Sequence, residues 1–516
     1  MSTEPASRVG HAPREPQRGG THFRVAVIGS GFGGLGAAIR LKQEGCDDFV
    51  IFERAAEVGG VWRDNTYPGC ACDVESNLYS FSFAPNPRWS HSFSRQPEIW
   101  DYLRHCAEDF GLLPHLRFEH EVREAAWDDA RRLWRLETSR GTFTASVLVA
   151  AAGSLSEPSI PRLKGLADFA GRVFHSARWD HEYDLRGKRV AVVGTGASAV
   201  QFVPEIQPVV ERLSVFQRTP PWVVPRRGRA FTDGEREWFR RFPVTQRVRR
   251  AGVYALRELF GYGFRRPWGM WYMGWVARRH LARSVPDPRL RARLTPDYTI
   301  GCKRILISND YLPALTRGNV ELVTDAINGF TARGVVTADG RERAADAVIF
   351  GTGFRVSDLP FAAHVRGRDG RSLAEVWDGS PRAHVGTTVA GFPNLFLLQG
   401  PNTGLGHTSV IYMMEAQIEH LVSAVRYMQR RGVSAMEPRP EAQAAFVADV
   451  DRMMRGTVWD AGGCRSWYMD ATGRNAAIWP RPTWAFRRRV ARLDPAEYLF
   501  THGADAPLLH TQAQAG

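Results

Sequence analysis

At 516 residues the chain is about three times the usual length of one domain, so two or three compact units are expected and a small stapled scaffold is excluded. Hydrophobic residues at 44% and charged residues at 24% are globular proportions, far from those of a disordered chain. Lys+Arg outnumber Asp+Glu by 68 to 54, but only Lys42, Lys164, Lys188 and Lys303 are lysines, and the arginines are scattered among acids. The surplus therefore reads as a solvated basic surface, and no nucleic-acid partner is expected.

In chain order, residues 1–21 are rich in Pro, Gly and Arg and lack the apolar run of a signal peptide, so a disordered tail is expected. Phe23–Ile28 is then a β-branched strand that stops at Gly29-Ser30-Gly31-Phe32-Gly33-Gly34 and passes into a helical pattern. In such a turn Gly29 permits the tight bend, Gly31 lets the backbone approach a pyrophosphate, and Gly34 lets helix and strand pack closely. The next strand, Phe49–Phe52, ends in Glu53, 19 residues after Gly34, where a carboxylate can accept from an adenosine ribose.

The pattern recurs 165 residues later. Lys188–Val193 runs into Gly194-Thr195-Gly196-Ala197-Ser198-Ala199, and the strand after it ends in Arg218, again 19 residues past the third small residue. An acid suits a free ribose 2'-hydroxyl, whereas a guanidinium suits a 2'-phosphate. FAD is accordingly assigned to the first turn and NADPH to the second. Two further strand-to-glycine junctions, at Gly153 and at Gly351–Gly353, read as crossings between the nucleotide domains.

Between them, residues 229–300 alternate aromatics (Trp238, Phe239, Phe260, Trp268, Trp271, Tyr272, Trp275) with arginines at helical spacing. This reads as a helical insertion packed on the nucleotide domain, the alternative being a face that docks on a membrane or takes up an apolar substrate. After Gly386 a strand, a glycine turn over Gly400–His407 and a long helix over Ile411–Gln429 return the chain to the first domain. The expected fold is α/β, with two Rossmann-like dinucleotide-binding domains and a helical insertion. Its segments are 22–160 (FAD, first part), 161–228 (NADP, first part), 229–300 (insertion), 301–385 (NADP, second part) and 386–516 (FAD, second part, with a C-terminal tail).

The six cysteines, Cys46, Cys70, Cys72, Cys106, Cys302 and Cys464, form no CxxC pair, so neither a disulfide framework nor a metal site is signalled. No apolar stretch reaches the roughly 18 residues of a membrane span. A cytoplasmic location is expected, with the oligomeric state open.

Three stretches resemble the class B flavoprotein monooxygenases and, within them, the Baeyer-Villiger monooxygenases. Phe169-x-Gly171-x-x-x-His175-x-x-x-Trp179-Asp180 is similar to that family's fingerprint, and Gly59-Gly60-x-Trp62-x-x-x-x-Tyr67-Pro68-Gly69-x-x-x-Asp73 to its second signature. The third is Ile300-Gly301-Cys302-Lys303-Arg304. The resemblance spans about residues 22–480 and implies an NADPH- and O2-dependent enzyme that inserts one oxygen beside the carbonyl of an apolar ketone, through a flavin C4a-peroxide, to give an ester or lactone. It further implies that Arg304 is the cation placed against the flavin and that Asp73 orients it.

The resemblance also places Phe32, Gly60, Val61, Trp62, Asp73, Tyr79 and Val122 with Gly29, Gly31, Gly34 and Glu53 around FAD. Thr195, Gly196, Ala197, Ser198, Gln201, Thr219, Lys303 and Trp467 are placed with Gly194 and Arg218 around NADP. His175 is read as structural, because its motif lies in the segment linking the domains. After Tyr468 the chain departs from the loop usual in relatives, which bears on substrate range. Sulfide or amine oxygenation, and a redox-sensing flavoprotein without turnover, stand as the alternatives.

Overall fold

A computed structural model describes residues 21–356 and 359–502. The tail expected over 1–21 lies, apart from Thr21, outside the described residues, as does the chain beyond 502. Two sheets organise the rest. The larger has eight strands and a parallel centre in which His22–Ile28 lies between Phe49–Phe52 and Gly141–Ala150. Gly141–Ala150 divides its other edge, pairing first with the antiparallel Leu133–Thr138 and then with the parallel Leu395–Leu397. The central segments read Val-Ala-Val-Ile and Phe-Val-Ile-Phe without polar interruption, because both faces of a parallel sheet are covered. Helix α1, Phe32–Gln43, covers one face and packs on a helix contributed late in the chain.

The smaller sheet has five parallel strands in the order Val320–Val323, Arg212–Phe216, Arg189–Val193, Ala347–Phe350, Arg172–His175. Helix α2, Ala197–Ile206, follows its central strand. These are two strand–turn–helix units of one design. The chain returns to the larger sheet sooner than the pattern at Gly386 indicates, since Val365–Arg366 already pairs with Val122–Asp128. A two-residue edge strand carries no readable period, so the expected boundary at 385/386 sits too late.

The insertion is helical. Its principal members are α3, Pro243–Gly261, and α4, Trp271–Ser284, joined through two short 3-10 turns, Tyr262–Arg265 and Pro267–Met270. The inner face of α3 is tied to the first nucleotide domain by Arg250, whose Nη1 donates to the carbonyls of Asn77, Leu78 and Ser80 at 3.0, 3.1 and 2.9 Å. Helix α5, Val410–Arg431, is the late helix packed on α1; Ser409 caps its start and Gly432, at φ 62°, ends it.

Candidate active site

The first glycine turn is built by contacts that exclude side chains. A Cβ on Gly29, whose φ is +96°, would lie 2.7 Å from the Ala151 carbonyl oxygen, and one on Gly34 would lie 1.8 Å from the Gly29 carbonyl oxygen. At Gly31 nothing comes nearer than Gly60 Cα at 3.7 Å, and Gly31 caps α1 without a side-chain hydrogen bond. Open space at the start of a 12-residue helix, with N–H groups lacking partners, is what a pyrophosphate requires, so the turn fits a dinucleotide. Around it stand the expected aromatics: Trp62 Nε1 donates to Tyr79 Oη at 3.1 Å, and the Phe32 ring meets that of Tyr79 at 5.2 Å. Val61 opens the short helix Val61–Asp64, and Val122 begins the strand Val122–Asp128.

Glu53, expected at a ribose, is already engaged by the protein. It is 4% exposed and accepts from Ser30 N at 3.0 Å, Ser30 Oγ at 2.7 Å, Ala55 N at 3.0 Å and Arg63 Nη1 at 3.0 Å. Each carboxylate oxygen thus already accepts two bonds. A ribose hydroxyl binds here only if Ser30 Oγ or Arg63 yields, and in this structure Glu53 braces the glycine turn.

The second turn repeats the backbone logic. Gly194 has φ +110° and a Cβ there would sit 2.5 Å from the Gly351 carbonyl oxygen, whereas Gly196 and Ala197 are exposed. Thr195 Oγ1 donates to the Thr219 carbonyl at 3.3 Å, joining the turn to the end of the neighbouring strand. At that end Arg218 is exposed and faces Lys303, whose ammonium lies 4.8 Å above the Tyr298 ring. Burial lowers the Lys303 pKa first and the Arg218 charge lowers it further, against a weaker pull from Asp297. Two mutually repelling cations beside a threonine form a site that a phosphate dianion would relieve, and the residues present fit a 2'-phosphorylated nucleotide.

Ser198 lies on the first turn of α2, close to Tyr67. Gln201 is committed elsewhere. Its Nε2 donates to the Ala71 carbonyl at 2.9 Å and its Oε1 accepts from Tyr67 Oη at 3.0 Å and Ala71 N at 3.2 Å. Its amide therefore ties α2 to the 67–73 loop of the other domain, with one Nε2 hydrogen left over.

That loop carries Asp73, which Arg304 meets in a bidentate pair: Nε donates to Oδ2 at 2.7 Å and Nη2 to Oδ1 at 2.6 Å. The neighbouring carboxylate raises the arginine's pKa further. Both side chains are partly exposed in the seam between the domains, and Nη1 makes no hydrogen bond among the described residues. Lys303 and Arg304 are adjacent in sequence, yet one lies in the field of Arg218 and the other pairs with Asp73.

Two further groups stand at the seam, of which the sequence reading named only Tyr468, as an aromatic flank of an apolar pocket. Tyr468 is 1% exposed beside Arg304; its hydroxyl is buried without a hydrogen-bond partner, and burial pushes its pKa up to about 12 against the pull of Arg304. Trp467, singled out from sequence, is instead 47% exposed and leans on the Tyr468 ring at 4.3 Å. Arg226 is a second cation within the field of Asp73 and Cys72; burial lowers its pKa, and it stacks on Phe93 at 5.2 Å. An Arg226-Arg227 doublet just past a strand is the only sequence hint of it.

The cysteines bring a correction. Cys302 and Cys464 are joined in a disulfide across a sequence separation of 162, tethering the Lys303-Arg304 segment to the Trp467-Tyr468 segment. Cys46, Cys70, Cys72 and Cys106 are free.

The fingerprint residues form an architectural joint. Gly171 is required because a Cβ would lie 2.5 Å from the Asp346 carbonyl oxygen, Trp179 packs on Phe174 and Phe202 at 5.2 and 5.3 Å, and Asp180 accepts from Arg172 Nε at 2.5 Å. His175 is 3% exposed, its Nδ1 accepts from Ala177 N at 3.1 Å, and burial lowers its pKa to about 4. It is neutral near pH 7, and its ring meets that of Phe354 at 5.8 Å. Among the described residues no cluster of metal-ligating side chains occurs, and no helix is long and apolar enough to cross a membrane.

Two dinucleotide-binding turns that face one seam, with a guanidinium held in it, define a two-nucleotide flavoprotein oxidoreductase. The flavin-binding monooxygenase-like family matches residues 22–366, and the chain belongs to that family. It is 53% identical over 496 residues to a Baeyer-Villiger monooxygenase of Streptomyces coelicolor, covering 96% of each chain. It is 50% identical over 484 residues to a Baeyer-Villiger monooxygenase of Pseudomonas aeruginosa, covering 93% of this chain and 92% of the relative. Cyclohexanone monooxygenase from Rhodococcus sp. Phi1 bound to NADP+ is similar in structure, with a TM-score of 0.83 at 29% identity over 94% of this chain and all of that one.

Proposed function

We propose that this protein catalyses Baeyer-Villiger oxidation of an apolar ketone, with Arg304 and Asp73 as its catalytic pair. Bound FAD and NADPH would supply the two electrons that activate O2, one atom of which is inserted beside the carbonyl while the other leaves as water. The single observation that carries the assignment of residues is the bidentate Asp73–Arg304 pair in the seam, with Nη1 left over. Asp73 fixes the guanidinium plane, and Nη1 can then donate to the oxygen on which negative charge develops as the carbonyl is attacked. The buried Tyr468 hydroxyl adds a second donor beside it. Arg218, Lys303 and Thr219 hold the 2'-phosphate, and the interdomain tie from Gln201 keeps Asp73 in register with the second domain. Nonpolar walls from Trp62 and Tyr468 favour an apolar substrate and exclude water, whereas Trp479 packs away from them on Phe446 and Phe486.

The test is NADPH oxidation by the FAD-loaded enzyme against a panel of linear, cyclic and polycyclic ketones, with product masses measured. An added oxygen recovered as ester or lactone is expected. Products confined to sulfoxides or N-oxides from a parallel sulfide and amine panel would replace this reading with heteroatom oxygenation. Asp73→Ala sharpens the choice. Attack on a carbonyl needs an anionic nucleophile and its counter-cation, whereas transfer to sulfur does not, so esters are expected to fall far more than sulfoxides.

A further inference from the structure

Outside the sites above lie a second concavity and the surface that borders it. The cavity has a volume of about 460 Å³ and lies where the insertion meets the C-terminal part of the chain. Arg265, Arg266, Arg455 and Arg481 line it, together with Met453, Thr457, Pro480, Pro482, Trp484 and Ala485. No acidic residue is among the lining, and none of the four guanidiniums is paired with a carboxylate of the described residues. Four unpaired cations around one concavity are a site for a phosphate-bearing group.

The chain beside the cavity is exposed and apolar. Leu259 and Phe260 end α3, and Tyr262, Trp268 (76% exposed), Trp271 (67%) and Trp275 follow through the 3-10 turns into α4. Along α3 the outward positions Val244, Val248, Leu256 and Leu259 extend this face at helical spacing. From residue 241 to 284 the only acid is Glu258, and it is buried, accepting from Thr483 Oγ1 at 2.6 Å and bonded to His407 at 3.1 Å. The exposed charges of the stretch are thus all arginines. On the inner side, Phe264 and Met270 share a core cluster with Cys302 and Tyr468, so this surface backs directly onto the seam.

We infer that this face docks on the surface of an anionic bilayer, with a lipid phosphate seated in the arginine-lined cavity and the tryptophans at the level of the headgroups. Indole and phenol rings favour that depth, and arginines beside them match the negative charge of the lipid. A second copy of this chain is a poorer occupant, because the face would meet itself arginine to arginine. Docking would set the catalytic seam beside the phase in which an apolar substrate dissolves.

The experiment is flotation of the full FAD-loaded chain with vesicles of phosphatidylcholine alone or with about 30 mol% phosphatidylglycerol, at about 0.1 M and about 0.5 M salt. Binding to the anionic vesicles that weakens at high salt is expected, with little binding to the neutral ones. Combined Arg265→Gln, Arg266→Gln and Arg481→Gln is expected to lower the partition coefficient about a hundredfold. Combined Trp268→Ser, Trp271→Ser and Trp275→Ser is expected to lower it at least tenfold, with NADPH oxidation on a water-soluble ketone unchanged in both variants. Absence of wild-type binding at low salt overturns the proposal, as does binding that either variant leaves intact. Inorganic phosphate bound in the cavity without vesicle binding marks a free-anion site and overturns it. So does a wild-type dimer that the tryptophan variant dissociates while vesicle binding is absent.

Discussion

The two glycine turns start from the same backbone and end in opposite charges. At the first, Glu53 is buried and its oxygens are filled by Ser30, Ala55 and Arg63; at the second, Arg218 is exposed and lies within the field of another cation, Lys303. The first turn is therefore complete as protein, its anion stabilising the loop that a flavin would lie against. The second carries an electrostatic demand that only a ligand meets. That difference suits one nucleotide that stays and another that must arrive and leave, and the proposed catalytic pair, Arg304 and Asp73, lies in the seam between the domains.

The largest expected effect breaks the meeting point and leaves both turns intact. Arg304→Ala is expected to retain FAD and NADPH binding while ester formation falls by about two to three orders of magnitude, the loss usual for one preorganised donor. Product analysis under saturating NADPH reads it, and wild-type ester yield would remove Arg304 from the chemistry. Next comes the charge of the second turn. Arg218→Ala is expected to lower kcat/KM for NADPH by one to two orders of magnitude (about 10- to 100-fold) while that for NADH stays within about twofold. Its thermal midpoint should not move, because the side chain is exposed and unpaired.

Glu53→Gln is the converse substitution. An amide accepts at one oxygen only and sets a donor against Ser30 or Arg63, so about 1–3 kcal/mol of stability is expected to be lost. Thermal unfolding of the apoprotein should show this, with the preference for NADPH over NADH unchanged. If Glu53→Gln shifted nucleotide preference and left stability alone, the contrast between the two turns would fail.

Much of this was legible from sequence because it is local. Each strand–glycine–helix unit lies within a few dozen residues, and its period, its glycines and the charge at the strand end are contiguous. Asp73 and Arg304 came from motif resemblance rather than from any pattern in their neighbours. What escaped depends on distant segments meeting. The hydrogen bonds that occupy Glu53, the tie from Gln201 to Ala71, the orphaned Tyr468 hydroxyl and the Cys302–Cys464 bond all join parts of the chain with no common period. The early return at Val365–Arg366 was hidden because two residues cannot show alternation.

The smallest expected effect concerns acid stability, in which the two halves are alike. His175 ends a strand of the smaller sheet, and His420 lies in α5 behind the larger one. Burial lowers both to about 4, and His420 is locked between the Val490 carbonyl and Tyr498 Oη, each at 2.8 Å. Unfolded histidine titrates near its ordinary 6.5, so between that value and about 4 the unfolded chain binds more protons than the folded one. Stability is therefore expected to be level above about pH 6.5 and to fall as the pH drops below it, by at most about 1.4 kcal/mol per pH unit for each histidine. His420→Gln keeps a donor and an acceptor at the site but cannot take up a proton, so it should remove its own share of that slope, to which the lowered His280 and His384 also contribute, while leaving the plateau within about 1 kcal/mol. Thermal midpoints of the FAD-loaded protein from about pH 8 to about pH 4.5 measure it. An equal slope in wild type and His420→Gln would place the acid sensitivity in other groups, and an effect from one histidine alone would show that the halves differ in acid stability as they do in charge.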